Sequence, residues 1–104
     1  MSTVIKVGGL LAVGFDAAEE LLLVVTHNGR AVYRVSDGSR VARNASTGDP
    51  WDGEAEDDGA AGIGPLAGVR VPVTLFGGGE LRLASPSGRF RLVCTAERID
   101  VSGS

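Results

Sequence analysis

Residues 20–43 read ELLLVVTHNGRAVYRVSDGSRVAR, and they give the strongest indication of the fold. Residues 20–27 form a nearly continuous apolar run, as expected of a central strand that is covered on both faces. Asn28-Gly29 follows at once and predicts a tight hairpin, because a type I′ turn needs positive φ at both central residues. A second turn at Asp37-Gly38 returns the chain again. We therefore predict a three-stranded meander over residues 20–43.

Strand patterns continue on both sides of this meander. Residues 10–15 are another apolar run, and alternating or apolar segments recur through residues 70–101, separated by glycine-containing turns. The one helix candidate, residues 16–20, is a single turn long, and isolated helices that short are unstable. At 104 residues the chain has the length of one domain. We predict a single all-β domain, residues 1–104, of about seven to eight mostly antiparallel strands in a meander sandwich or barrel.

The two halves of the chain resemble each other. An offset of 59 places residues 22–36 on residues 81–95 and aligns Gly29 with Gly88 and Arg30 with Arg89. The same offset aligns the apolar faces of the two stretches. The first face consists of Ala31, Tyr33 and Val35, and the second consists of Phe90, Leu92 and Cys94. We predict two pseudo-repeat halves, about residues 4–43 and 69–101, joined by an acidic and glycine-rich loop without periodicity over residues 44–68.

Each half resembles a blade of a β-propeller of the WD40 or quinoprotein-like type. In residues 20–43 a glycine turn leads to an aromatic-containing strand, and a second glycine turn leads to an outer strand. Tyr33 and Arg34 stand where that family has its Trp-Asp pair, and residues 81–101 match more loosely. Two units are fewer than the roughly four to eight blades that close a propeller. The resemblance implies a scaffold that often binds other proteins, folded here as a sandwich or barrel.

Charge is unevenly distributed along the chain. The net charge is −3, yet six of the thirteen acidic residues lie in residues 49–58, DPWDGEAEDD. The spacing fails the EF-hand pattern, which requires glycine at the sixth position and glutamate at the twelfth. Tryptophan is enriched at interface hot spots, and the only Trp lies in this segment. We predict that a non-catalytic protein-interaction module binds another protein through Asp49, Trp51, Asp52, Glu54, Glu56, Asp57 and Asp58.

Arginine side chains suggest an alternative function. Strand alternation places Arg30 and Arg34 opposite the apolar face of the first half, and Arg89 and Arg91 opposite that of the second. The alternative is therefore a small-anion or ligand-binding accessory domain that uses an Arg-bearing sheet face. Nucleic acid is not expected, because the chain has neither a basic net charge nor interleaved aromatic residues. A small immunity- or antitoxin-like protein, suggested by size and charge, is a third alternative.

No catalytic, cofactor or metal site is predicted. His27 is the only histidine and precedes a turn, and Cys94 is the only cysteine and alternates with core residues. A single cysteine excludes an internal disulfide and a cysteine-rich metal site. No run approaches the ~20 apolar residues of a membrane span. We expect a cytoplasmic, non-enzymatic protein from a GC-rich bacterial genome, without a membrane partner. An exposed edge strand would allow two copies of the chain to pair, so a homo-oligomer is also compatible with the sequence.

Overall fold

The computed structural model describes residues 2–27, 29–44, 60–61, 64–66 and 69–103. These residues form β-strands and turns, with one turn of 3₁₀ helix at Gly64–Leu66, so the predicted all-β class is confirmed. The strands are β1 (Ser2–Lys6), β2 (Leu10–Phe15), β3 (Leu21–Thr26), β4 (Gly29–Arg34), β5 (Arg40–Asn44), β6 (Ala60–Ala61), β7 (Arg70–Val71), β8 (Thr74–Leu75), β9 (Leu81–Ala84), β10 (Phe90–Cys94) and β11 (Arg98–Gly103).

Nine of these strands form two antiparallel sheets, where the sequence predicts about seven to eight strands. The terminal sheet has the order β1-β11-β10-β9, and the central sheet has the order β5-β4-β3-β2-β8. Strands β6 and β7 pair as a separate short ribbon. The two sheets pack face to face and do not close into a barrel. Of the two predicted architectures, the structure therefore forms the sandwich.

An inner core fills the space between the two sheets. Leu22 and Val24 enter it from β3, and Leu92 and Ile99 enter it from the terminal sheet. The rings of Phe15 and Phe90 stack across the interface with their centroids 6.3 Å apart. Burial of this apolar surface is what holds the two sheets together.

An outer core covers the opposite face of the central sheet. Leu23 and Val32 on that face pack with Leu66 and Val71, which belong to a covering segment formed by residues 60–61, 64–66 and 69–73. A Cβ atom at Gly14 would collide with the carbonyl oxygen of Pro72. Glycine in the middle of β2 therefore lets the covering segment approach the sheet closely.

The covering segment includes part of the loop that the sequence predicts. Residues 44–68 carry no periodicity. Their described part contains β6, the 3₁₀ turn and the end of β5. Leu66 is buried in this part, because the apolar outer face of β3 needs a cover. The prediction that β3 is covered on both faces is confirmed by the burial of every residue from Leu22 to Val25.

The two halves that align in sequence both contain an antiparallel hairpin, but the hairpins differ. Thr26 pairs with Gly29 in the first hairpin, whereas Ser85 donates its backbone N–H to the Phe90 carbonyl in the second. Two residues thus separate the strands in one case and four in the other. The internal repeat and the propeller resemblance stay predictions.

Replacing Leu22 or Leu23 by alanine tests whether both faces of β3 are covered. Both side chains are 0% exposed, one in each core. Each change should lower the free energy of unfolding, measured by urea denaturation, by about 2–5 kcal/mol. The control is Leu75→Ala, because Leu75 is 46% exposed. A cost for Leu23→Ala as small as that of the control would contradict the outer core.

Candidate functional site

The predicted protein-binding residues belong to a segment outside the described part of the chain. Residues 49–58, with Trp51 and the six acidic residues, lie outside the described ranges. The prediction that they form a docking strip for another protein therefore stays a prediction.

The four predicted anion-binding arginines are described, and they do not share one face. Arg30 is partly buried and lies near Val32 on the outer face of β4, which the outer core partly covers. Arg34 is exposed, with its Nη1 atom 3.6 Å from Asp37 Oδ2. Alternation along β4 therefore does not produce a solvated arginine face, because the covering segment occupies part of that side.

The two arginines of the second half are also separated. Arg89 lies in the turn before β10, with its guanidinium 5.2 Å from the ring centroid of Phe90. Arg91 is exposed on the outer face of the terminal sheet. Arg34 and Arg89 line one cavity, Arg30 lines another, and Arg91 lines neither.

The cavity at Arg30 brings together cationic side chains that the sequence did not group. It has a volume of about 350 Å³ and lies at the edge of the sandwich between the end of β1 and strands β3, β4 and β5. Four of the ten basic residues of the chain line it, and no described carboxylate does. We call it the basic cavity, and its polar lining residues are Lys6, Arg30, Arg40 and Arg43 with Thr26 and Tyr33.

A β-bulge aims two of these cations into the cavity. Val32 pairs with Ala42 and Tyr33 pairs with Arg40, so Val41 is an extra residue in β5. Without it, strand alternation would place Arg40 and Arg43 on opposite faces. The bulge turns both arginines to the cavity side, a common role of bulges beside functional sites. Sequence alternation could not reveal this pair.

The connection between β1 and β2 forms one wall of the basic cavity and is fixed on two sides. Val7 donates its N–H to the Glu97 carbonyl at 2.9 Å, and the Gly9 carbonyl accepts a hydrogen bond from the His27 N–H at 3.1 Å. Gly9 has a φ of 71°, and a Cβ atom there would collide with the His27 imidazole. His27 thus supports a turn at the surface, and the wall is positioned by the backbone.

The electrostatics of the basic cavity favour an anion. Lys6, Arg40 and Arg43 are exposed, and among the described residues no carboxylate forms an ion pair with them. The ion pairs found there lie elsewhere, at Arg34–Asp37, Arg82–Glu80 and Arg98–Asp100. Like charges that line a concave, low-dielectric wall concentrate the electric field and attract counter-ions.

Comparison of the chain with protein-family models, curated proteins and solved structures gives no match. In the described ranges no group of three His, Cys, Asp or Glu side chains is placed to hold a metal ion. The same ranges contain no helix with the length and apolar character of a membrane span.

The second cavity has a volume of about 470 Å³ and is lined by groups of both charges, including Glu19, Glu20, Arg34 and Arg89. Glu19 is buried and adopts a φ of 58°, and its Oε1 atom accepts a hydrogen bond from Ser87 Oγ at 2.8 Å. A hydrogen bond with the Ser85 side chain lowers the pKa of Glu19, and Ser87 and the charge of Arg89 lower it further. This carboxylate joins the β2–β3 turn to the β9–β10 turn and so has a structural role.

The Glu19 contact predicts a specific loss of stability in acid. Because the pKa of Glu19 is lower in the folded state, its ionised form stabilises the fold above the ordinary glutamate value of about 4.3. That contribution disappears as the pH falls through the lowered folded-state pKa. The free energy of unfolding of the wild type and of Glu19→Gln can be compared by urea denaturation at pH 7 and at pH 3. The wild type should be more stable than the variant at pH 7, and this difference should be smaller at pH 3. An equal difference at both pH values would contradict this assignment.

Cys94 is fully buried in the inner core, as alternation with Phe90 and Leu92 predicts. Burial raises the pKa of its thiol to about 11, and the charge of Asp100 adds to the effect. Only the thiolate reacts rapidly with thiol reagents.

Native protein should therefore react with a disulfide reagent such as DTNB far more slowly than protein unfolded in urea. A Cys94→Ala variant provides the blank for both conditions. Similar rates in the native and unfolded states would show that the thiol is accessible in the fold.

Proposed function

We propose that this protein is a non-catalytic binding domain that takes a small anion in the basic cavity. The observation that carries this proposal is the convergence of Lys6, Arg40 and Arg43 on one cavity of about 350 Å³, which Arg30 also lines. The proposal keeps the anion-binding alternative that the sequence suggests, but it assigns the anion to a different set of residues. Of the four arginines that alternation selected, only Arg30 lines this cavity.

The chemistry of the cavity suits binding better than catalysis. Guanidinium groups present paired donors to carboxylate and phosphate oxygens, and the lysine ammonium adds a point charge. No described lining residue is a carboxylate, histidine or cysteine that would serve as base or nucleophile. Because the cations are exposed, salt should screen them and weaken the complex.

The protein-interaction module stays a second candidate, supported by the sequence alone. Residues 49–58 hold six of the thirteen acids and the only tryptophan. This function predicts that changing those acids to amides, together with Trp51→Ala, removes partner binding and leaves anion binding intact. The immunity- or antitoxin-like role and the cytoplasmic, bacterial assignment likewise stay predictions.

Replacing Arg43 by glutamine tests the proposed function. Isothermal titration of the wild type with inorganic pyrophosphate at low salt should show saturable binding. Arg43→Gln should weaken it about tenfold or more, because a hydrogen bond to a charged group contributes about 1.5–3 kcal/mol.

The matched control is Arg91→Gln, since Arg91 is equally a surface arginine but lies on the outer face of the terminal sheet. It should leave the affinity unchanged. No binding by the wild type, or an equal loss in both variants, would mean that the cavity is not a specific anion site.

A further inference from the structure

We infer that the anion taken by the basic cavity is a nucleotide, with its phosphates at Lys6, Arg40 and Arg43 and its base beside Tyr33. This inference rests on the proposed function and adds the chemical class of the ligand. It is carried by three features of the cavity, namely its size, its apolar wall and the position of its aromatic residue.

The cavity is larger than an inorganic anion requires. Its volume of about 350 Å³ equals that of roughly a dozen water molecules at about 30 Å³ each in the liquid. It falls at the lower end of the range of pockets that hold small organic ligands, about 300–1,000 Å³. A phosphate group bound by the cations would leave most of this space for an organic part.

The wall away from the cations is apolar and well supported. Val7, Val24 and Ala31 line it. The apolar surface open to a ligand belongs to Val7 and Ala31, which are half-buried, while Val24 is 0% exposed and supports the wall from within the inner core, against which Val7 also packs. A polar sugar acid or a simple dicarboxylate would leave this wall uncovered, whereas the planar base of a nucleotide has the apolar faces to cover it.

Tyr33 supplies the aromatic surface. It lines the cavity and at the same time packs, partly buried, against the inner core, so its position is fixed before a ligand arrives. Bases stack on aromatic side chains with little dependence on their identity. Tyr33 is also paired with Arg40 across the bulge, which places a phosphate-binding cation directly beside the ring.

A free nucleotide and the end of a nucleic acid strand share this chemistry. The cavity volume fits one nucleotide, and the net charge of the chain is −3, which opposes the binding of a long polyanion outside the cavity. The geometry therefore points to a free nucleotide.

The test compares ADP, pyrophosphate and adenosine by isothermal titration against the full chain at one low salt concentration. ADP and pyrophosphate carry the same diphosphate, so the ratio of their affinities measures the contribution of the nucleoside. For the wild type we expect ADP to bind at least tenfold more tightly than pyrophosphate, and adenosine alone to bind weakly.

Two substitutions assign the nucleoside contribution to the ring. Tyr33→Leu keeps an apolar side chain against the inner core but removes the aromatic surface, and it should bring ADP to the affinity of pyrophosphate. Tyr33→Phe keeps the ring and should retain at least half of the wild-type ADP affinity. Thermal unfolding of each variant checks that the sandwich is intact.

The outcomes separate this inference from the proposed function. If pyrophosphate binds and depends on Arg43, but ADP gains nothing over it or keeps its advantage in Tyr33→Leu, the nucleotide inference is overturned and the anion site remains. If neither anion binds, the proposed function itself fails. If an oligonucleotide of ten nucleotides binds more tightly than ADP, the ligand is a nucleic acid strand and the inference of a free nucleotide is wrong.

Discussion

Leu22, Leu23, Val24 and Val25 are all buried, and a strand with no solvated face must be covered from both sides at once. The terminal sheet covers one side of β3, and residues 60–61, 64–66 and 69–73 cover the other. Fully burying side chains of this kind is worth about 1.5–3 kcal/mol each. This requirement explains why the covering segment returns to pack on the sheet, and why Gly14 is needed beneath Pro72.

The basic cavity follows from a mismatch between the two layers. The central sheet has five strands and the terminal sheet has four. The cavity-facing side chains of β5, Arg40 and Arg43, are exposed, whereas Leu22 and Val24 on the same side of β3 are buried. Where none of the described residues forms a second layer over the sheet, cations replace aliphatic residues. The inner surface of β5, the edge strand of the central sheet, thereby becomes a concave, positively charged surface.

Local sequence rules predicted the meander of residues 20–43 because its signals are local. Apolar runs and glycine turns require no knowledge of distant residues, and strands β3, β4 and β5 follow them closely. The local rules failed where the position of a residue depends on another, distant part of the chain. Nothing near Leu66 reveals that the outer face of β3 will bury it. The extra residue Val41 changes the direction of Arg40 only through its pairing with β4, so the cation cluster was invisible to alternation. Lys6 joins it from a strand that the sequence did not predict.

The pairing of β1 with β11 has a consequence for how the protein is made. Ser2 lies opposite Ser102, and Lys6 lies opposite Arg98, so β1 pairs with the strand that follows all the other described strands in the chain. On the ribosome, where chains emerge N-terminus first, β2 to β5 can pair before β11, the strand that pairs with β1, has been synthesised. Lys6 and the adjoining wall of the cavity therefore reach their places only after β11 has been synthesised. A nascent chain would carry the arginine pair of β5 early, but the complete basic cavity only after β11 has left the exit tunnel.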